Sequence, residues 1–165
     1  MGFTVDAITD SNLIGVVGIN VKNSKVIPAT GLGVQAFIEL IIKETANQKM
    51  NVLRIWSHGH IGENVPGDVI FGNETISATT IDTFKPLLLK LTPCFAKPSR
   101  VELRGCAPAK LTGKVMMGKL AQIWNTEVYG AEKSQFTMNW NPPVFKATPD
   151  GRVQGATGIE YNEGR

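Results

Sequence analysis

The pattern of apolar and polar positions alternates between helix-like and strand-like stretches over the first 131 residues. Apolar residues spaced three and four apart predict an amphipathic helix over Val34 to Asn47, and a buried strand over Asn51 to Ser57 follows it directly. Two further helices are predicted, one beginning at Thr79 or Thr80 and running to Leu91, the other over Thr112 to Asn125. The other predicted strands are 3–8, 101–105 and 127–131, with a hairpin at 69–77 that turns at Gly72-Asn73.

Three segments have weaker patterns. Residues 13–21 are apolar and interrupted by glycine, which fits either the second strand of a hairpin or an irregular crossover. Residues 23–33 contain one proline and two glycines and are predicted to be a loop. After Gln135 the pattern becomes irregular, although Pro149-Asp150-Gly151-Arg152 is a turn that can close a hairpin. We therefore expect one domain over residues 1–165, with 135–165 as an irregular or hairpin extension.

The order of these elements predicts the fold class. Helices alternate with strands between residues 30 and 131, which favours parallel pairing of consecutive strands. Such a sheet needs cover on its faces, which the helices supply. The sequence thus predicts an α/β fold, a three-layer sandwich with a mostly parallel central sheet flanked by helices.

Charge and hydropathy narrow the classes of partner. The 17 lysines and arginines barely exceed the 14 acidic residues, and they form no basic block, so no nucleic-acid partner is expected. The longest apolar run is too short to span a bilayer, and the first residues lack the charged and apolar regions of a signal peptide. We expect no membrane association and a cytoplasmic location, with export by a route that needs no cleaved signal left open.

Two predicted strands end at a reactive side chain beside a glycine, at Ser57-His58-Gly59 and at Gly105-Cys106. Because the carboxyl ends of parallel strands meet at one edge of a sheet, we expect His58 and Cys106 to lie together. A free thiol has a pKa of about 8.5, so a neighbouring imidazole is needed to produce the nucleophilic thiolate near neutral pH. This predicts a dyad in which His58 acts as base and then acid, while the N–H groups of Gly59 and Cys106 form an oxyanion hole.

The same two blocks carry a family resemblance. Ser57-His58-Gly59, and Leu103-Arg104-Gly105-Cys106 followed by Ala109 and Gly113, resemble the catalytic blocks of the caspase-like cysteine peptidases. That superfamily includes caspases, separases, gingipains, legumains and bacterial CHAT domains, and the resemblance covers about residues 50–134, nearest to the bacterial caspase-like domains. It implies a caspase-like fold, a cysteine endopeptidase without a cofactor, a dyad of His58 and Cys106, and Gly59 as an oxyanion donor. Caspases have Gln-Ala-Cys where this chain has Arg104-Gly105-Cys106, so strict aspartate preference is not expected.

Charged residues near the predicted dyad are candidates for substrate binding. Glu132 follows the strand that ends at Ala131, and an acidic residue there would select a basic P1 side chain. Arg104 and Lys133 would instead favour an acidic P1 side chain. Asp68, Asp10 and His60 are further candidates for the rim of the site. The expected partner is a protein or peptide substrate, with a regulatory partner protein as a further expectation.

Two alternatives to a peptidase remain at this point. The first is a catalytically inactive caspase-like module that mediates protein–protein interaction. The second is a zinc-dependent hydrolase, because His58 and His60 project the same way from a continuing strand. No third or fourth ligand has a recognisable spacing, so no metal site is predicted. Cys94, at the exit of a predicted helix, is interpreted as structural.

Overall fold

The computed structural model of this chain describes residues 2–14, 23–135 and 138–162. Residues 11–14 are helical, and the helices with both ends described are α1 (Val34–Thr45), α2 (Ile81–Leu89), α3 (Gly113–Trp124) and the short α4 (Gly158–Asn162), with a 3₁₀ turn at Thr92–Cys94. Its strands are β1 (Phe3–Ile8), β2 (Lys25–Pro28), β3 (Met50–Trp56), β4 (Val69–Phe71), β5 (Glu74–Ile76), β6 (Phe95–Arg104), β7 (Glu127–Ala131), β8 (Val144–Ala147) and β9 (Val153–Gly155).

A seven-stranded sheet forms the centre of the fold, in the order β2-β1-β3-β6-β7-β8-β9. The five strands from β2 to β7 are parallel, whereas β8 pairs antiparallel with β7 and forms a hairpin with β9. The predicted α/β class and the mostly parallel central sheet are therefore confirmed. The strand order reverses beside β1, which is the arrangement of doubly wound sheets, whose ligands bind at the carboxyl ends of the strands.

The structure corrects several of the predicted boundaries. The predicted loop over 23–33 contains β2, a four-residue edge strand that pairs only with β1 and ends in a proline, which an edge position tolerates. Strand β6 begins at Phe95 instead of Val101, and α2 is shorter than its pattern predicts, with Pro86 inside it. Residues 15–21 of the ambiguous apolar segment lie outside the described residues.

One face of the sheet is apolar and carries α1, α2 and α3 side by side. Apolar residues of every parallel strand join the helices in a single core, and the β4–β5 hairpin closes it where the rings of Phe37 and Phe71 meet edge to face at 4.8 Å. These alternating strand positions are what the sequence pattern predicts for a buried sheet face. Among the described residues, no helix is both long and apolar enough to cross a membrane.

The opposite face of the same strands carries a buried row of charged side chains. Asp6, Arg54 and Glu102 are neighbours in register on β1, β3 and β6. Arg54 contacts both acids, at 3.3 Å from Asp6 and 3.1 Å from Glu102. Arg100 and Arg104 lie two residues before and two residues after Glu102, and so on the same face of β6. Both also donate to Glu102, each through its Nε at 2.9 Å. Three guanidinium groups therefore surround one fully buried carboxylate.

The buried row is stabilised by its own opposite charges and is covered by aromatic and backbone groups. Burial alone would raise the pKa of Glu102, but Arg104, Arg100 and Arg54 outweigh it and hold that pKa below its ordinary value. The guanidinium group of Arg104 lies 3.6 Å from the ring centre of Trp140. Arg100 donates to the backbone oxygens of Glu160 and Tyr161, at 2.8 and 3.1 Å, and so ties α4 to this face. Opposite charges in good hydrogen-bond geometry thus allow a charged row to be buried.

We predict that Glu102→Gln lowers the free energy of unfolding at pH 7 by about 3–5 kcal/mol, because three buried guanidinium groups lose their shared anion. Urea denaturation measures this loss. The folded pKa of Glu102 is lowered, so its contribution is full above about pH 4.3 and falls as the pH drops through the folded value. The difference between the two proteins should therefore shrink in acid.

The matched control is Asp82→Asn, which neutralises an exposed acid paired with Lys119 on the surface. We expect this control to change stability by less than about 1 kcal/mol. A loss of that same small size for Glu102→Gln would contradict the importance of the buried row.

Candidate active site

The register of three neighbouring strands brings three functional side chains to one edge of the sheet. Ile8, Trp56 and Arg104, the last residues of β1, β3 and β6, are aligned across the sheet. Asp10, His58 and Cys106 each lie two residues beyond one of these aligned positions. Because the three strands are parallel, all three side chains emerge at the same carboxyl edge.

The side chains of these residues are in line, with the imidazole in the middle. The Sγ of Cys106 lies 3.6 Å from Nδ1 of His58, within the range of a hydrogen bond to sulfur. On the other side of the ring, Nε2 of His58 lies 3.7 Å from Oδ2 of Asp10, which is ion-pair distance but longer than a hydrogen bond. The His58 side chain is 40% exposed, whereas Cys106 is only 5% exposed. A solvent-accessible base therefore contacts a largely covered thiol.

Asp10 is the residue whose position the sequence pattern did not resolve. The sequence makes it a candidate for the rim of the site, and its carboxylate lies beside the imidazole. The available signal was its place in the chain, because Asp10 follows the first predicted strand at the distance at which His58 follows its own. That signal becomes decisive only once the register of β1 against β3 is known.

Two glycines allow the strand ends to approach each other. A Cβ at Gly105 would overlap the backbone oxygen of Ser57, the residue before His58. A Cβ at Gly59 would lie 2.8 Å from the backbone oxygen of Asp68 and 3.1 Å from that of Cys106. Since real Cβ atoms do not approach this closely, each position needs glycine for the thiol and the imidazole to meet.

The predicted oxyanion donors belong to the residue after His58 and to Cys106 itself. Within the described part of the chain, the backbone N–H groups of Gly59 and Cys106 donate to no protein acceptor. Buried or partly buried N–H groups are normally satisfied, so two adjacent ones without a partner are suited to bind an anionic oxygen. Both N–H groups are therefore available as donors, as the sequence predicts.

Asp68 and His60, predicted to bind substrate, contact each other. Asp68 accepts the backbone N–H of His60 through Oδ1 at 2.9 Å, and its Oδ2 lies 2.6 Å from Nδ1 of the His60 ring. The side chain of Asp68 is 9% exposed, whereas that of His60 is 60% exposed. Asp68 thus lies behind the 58–60 segment, and only His60 reaches the rim.

A cavity of about 380 Å³ is lined by residues that follow the dyad in the chain, and its described lining includes neither Cys106 nor His58. Ala107, the neighbour of Cys106, and His60 form one part of its wall, and Glu132, Lys133 and Ser134 form another. Glu132, predicted to select the substrate, lines this cavity and forms an ion pair with Lys114. The cavity wall carries both signs of charge, because Glu63 and Lys110 also line it.

The remaining candidates for chemistry lie apart from this site. Cys94 and Cys106 are both free thiols. Burial raises the pKa of Cys94, and a hydrogen bond with Thr45 only partly offsets this effect. Across residues 2–14, 23–135 and 138–162, no three histidine, cysteine or acidic side chains are grouped so that they could hold a metal ion. In particular, His60 is engaged by Asp68 and His58 by Cys106.

We predict that iodoacetamide at pH 7 alkylates Cys106 faster than Cys94, because the imidazole 3.6 Å from the Cys106 sulfur can accept its proton during the reaction. His58→Ala should slow alkylation of Cys106 by about tenfold or more, because the base is lost, and should leave Cys94 unchanged. Mass spectrometry of the two cysteine-containing peptides over time measures both rates. Equal rates for the two cysteines in the wild-type protein would count against an activated thiol.

Comparison with known proteins returned no relative. No protein-family model, no curated protein and no solved structure matches this chain. The candidate site therefore rests on the contacts that His58 makes with Cys106 and Asp10.

Proposed function

We propose that this protein is a cysteine endopeptidase that cleaves peptide bonds through a dyad of His58 and Cys106. The observation that carries the proposal is the 3.6 Å contact between the Cys106 sulfur and the His58 imidazole at the carboxyl edge of a parallel sheet. A cavity of about 380 Å³ lined by Ala107 and His60, which are close to the dyad in the chain, supports it, because a peptidase needs room for a substrate side chain.

The proposed mechanism follows from the positions of the atoms. His58 Nδ1 accepts the thiol proton, and the sulfur of Cys106 attacks the carbonyl carbon of the scissile peptide bond. The carbonyl oxygen becomes an anion, which the N–H groups of Gly59 and Cys106 stabilise. His58 then gives its proton to the leaving amine as the C–N bond breaks. Water, deprotonated by His58, hydrolyses the remaining thioester and releases the acid.

Asp10 is proposed to orient the imidazole. If Nδ1 of His58 accepts the thiol proton, then Nε2 must carry the other proton, and Nε2 faces Asp10. The carboxylate therefore favours the tautomer that the reaction needs and stabilises the imidazolium that forms. Its distance of 3.7 Å and its partial exposure make this effect weaker than that of a buried triad member.

The fold is proposed to be caspase-like. Support comes from the Ser57-His58-Gly59 and Gly105-Cys106 blocks at the ends of β3 and β6, and from α3 and β7 following the cysteine as the resemblance implies. The substrate is a protein or peptide, and a regulatory partner protein belongs to the same proposal. Two free cysteines are consistent with a reducing, cytoplasmic compartment.

The cavity lined by Ala107 and His60 is proposed to hold the P1 side chain. Glu132 is paired with Lys114, and the cavity wall also includes Glu63, Lys110 and Lys133. Because the wall carries both signs of charge, a long polar P1 side chain is favoured over a P1 side chain that is positively or negatively charged. This interpretation replaces the simple preference for a basic P1 residue that Glu132 alone would predict.

A second candidate function is a catalytically inactive caspase-like module that mediates protein interaction. The observation in its favour is the low exposure of Cys106, 5%, which restricts access of a peptide to the sulfur. Alkylation separates the two functions, because a module without catalysis has no need of a thiol that reacts faster than Cys94.

We predict that a peptide library is cleaved by the wild-type protein and that Cys106→Ala abolishes cleavage, since it removes the nucleophile. Mass spectrometry of the products measures both the rate and the P1 preference. The matched control is Cys94→Ala, which removes the other thiol and should keep full activity. Cleavage that survives in Cys106→Ala would exclude this thiol as the nucleophile.

We predict that Asp10→Asn lowers kcat about tenfold, far less than the loss of a fully buried triad carboxylate, because the Asp10 side chain is 31% exposed and lies 3.7 Å from His58. Steady-state kinetics on the best library peptide gives kcat and KM. KM should be unchanged, since Asp10 lies outside the cavity. A change in KM alone would instead assign Asp10 to substrate binding.

A further inference from the structure

The segment 58–60, which carries the proposed base and one oxyanion donor, is tied to residues 68–70 at the start of the β4–β5 hairpin. The N–H of Ile70 donates to the backbone oxygen of His58 at 3.0 Å. Asp68 accepts the N–H of His60 at 2.9 Å and contacts the His60 ring at 2.6 Å. Both ends of the segment are therefore held by the same short stretch of chain.

Gly59, in the middle of the segment, packs against Asp68 and Cys106 and leaves no room for a side chain. A Cβ on Gly59 would be 2.8 Å from both the backbone oxygen and Oδ1 of Asp68, and 3.1 Å from the backbone oxygen of Cys106. The Asp68 side chain is largely buried, and it does not line the cavity of about 380 Å³. Asp68 is thus packed closely against the backbone of Gly59.

We propose that Asp68, together with His60, is a positioning residue that fixes the N–H of Gly59 where the oxyanion of the reaction forms. This inference rests on the proposed function and concerns the same site. Oxyanion donors are effective only when they are held in place before the charge develops, at about 2.7–3.1 Å from the future anion. Two hydrogen bonds that the buried carboxylate of Asp68 accepts from His60, the residue after Gly59, supply that restraint. Asp68 therefore acts through Gly59 and does not touch the substrate.

Two reagents distinguish this role from a general effect on the thiol. Iodoacetamide alkylates sulfur by displacing iodide from a CH₂ group, so no oxyanion forms. With p-nitrophenyl acetate, the thiolate attacks the carbonyl carbon and the carbonyl oxygen takes the electron pair. The tetrahedral intermediate then expels p-nitrophenolate and leaves an acetyl thioester. Only the second reaction needs the N–H of Gly59, whereas both need the thiolate.

We predict that Asp68→Ala lowers the Cys106-dependent release of p-nitrophenolate about tenfold or more, while the alkylation rate of Cys106 stays within about twofold of wild type. Asp68→Asn keeps an oxygen that can accept the N–H of His60, so it should restore most of the acylation rate. His60→Ala removes the ring contact but leaves the backbone hydrogen bond, and we expect a loss of about threefold. Absorbance of p-nitrophenolate and mass spectrometry of the alkylated peptide measure the two rates.

The matched control is Asp82→Ala, which removes an exposed aspartate on α2 and should leave both rates unchanged, and Cys106→Ala gives the background of p-nitrophenolate release. Wild-type acylation in Asp68→Ala, or a parallel fall of both rates, would overturn the inference. Should Asp68→Ala not fold, unchanged acylation in His60→Ala would overturn it as well. Absence of Cys106-dependent release in the wild-type protein would refute the proposed function, and the inference with it.

Discussion

Parallel pairing of β1, β3 and β6 in one register is the constraint on which the rest of this structure depends. Asp10, His58 and Cys106 are far apart in the chain, yet each follows its strand by the same number of residues. A shift of one residue between two of these strands would turn every side chain of one strand to the other face of the sheet. The contact between sulfur and imidazole would then be lost together with the core.

Both faces of the sheet support that register by different means. On the apolar face, strand residues and three helices share one core, which tolerates small changes of position at modest cost. On the charged face, Asp6, Arg54 and Glu102 are aligned across the same three strands, and each hydrogen bond depends on that alignment. Directional bonds between charges are more specific than apolar contact, so we infer that the buried row specifies register while the core supplies stability.

Much of the fold could be predicted from periodicity, whereas the relations between distant segments could not. The helix over residues 34–45 and the strands before His58 and Cys106 follow from local patterns, and parallel strands then bring the two side chains to one edge. The strand β2 was missed because four residues ending in a proline resemble a loop. Arg54 and Glu102 occupy alternate strand positions, which normally indicates a solvated face. They are buried because they pair across strands, which no single segment reveals.

In the candidate site too, some features follow from the local sequence and others depend on contacts between distant segments. Gly59 and Gly105 were recognised from their place beside the reactive side chains, while the contact of Asp68 with His60 depends on how the β4–β5 hairpin folds back. The cavity is formed by loops around residues 60–63 and 132–134, which lie far apart in sequence and share no pattern. Glu132 could be assigned to this region because it follows β7, but its pairing with Lys114 required the packing of α3 against that strand.

The contact of Arg100 with the backbone of α4 has a consequence for the end of the chain. Among the described members of the charged row, three arginines face two acids, so one positive charge is left over in a buried place. The carbonyl dipoles of Glu160 and Tyr161 lie at the negative end of α4 and partly neutralise that excess. The last described residues therefore complete the hydrogen bonding of a largely buried arginine, and trimming them would leave two of its donor nitrogens without these acceptors.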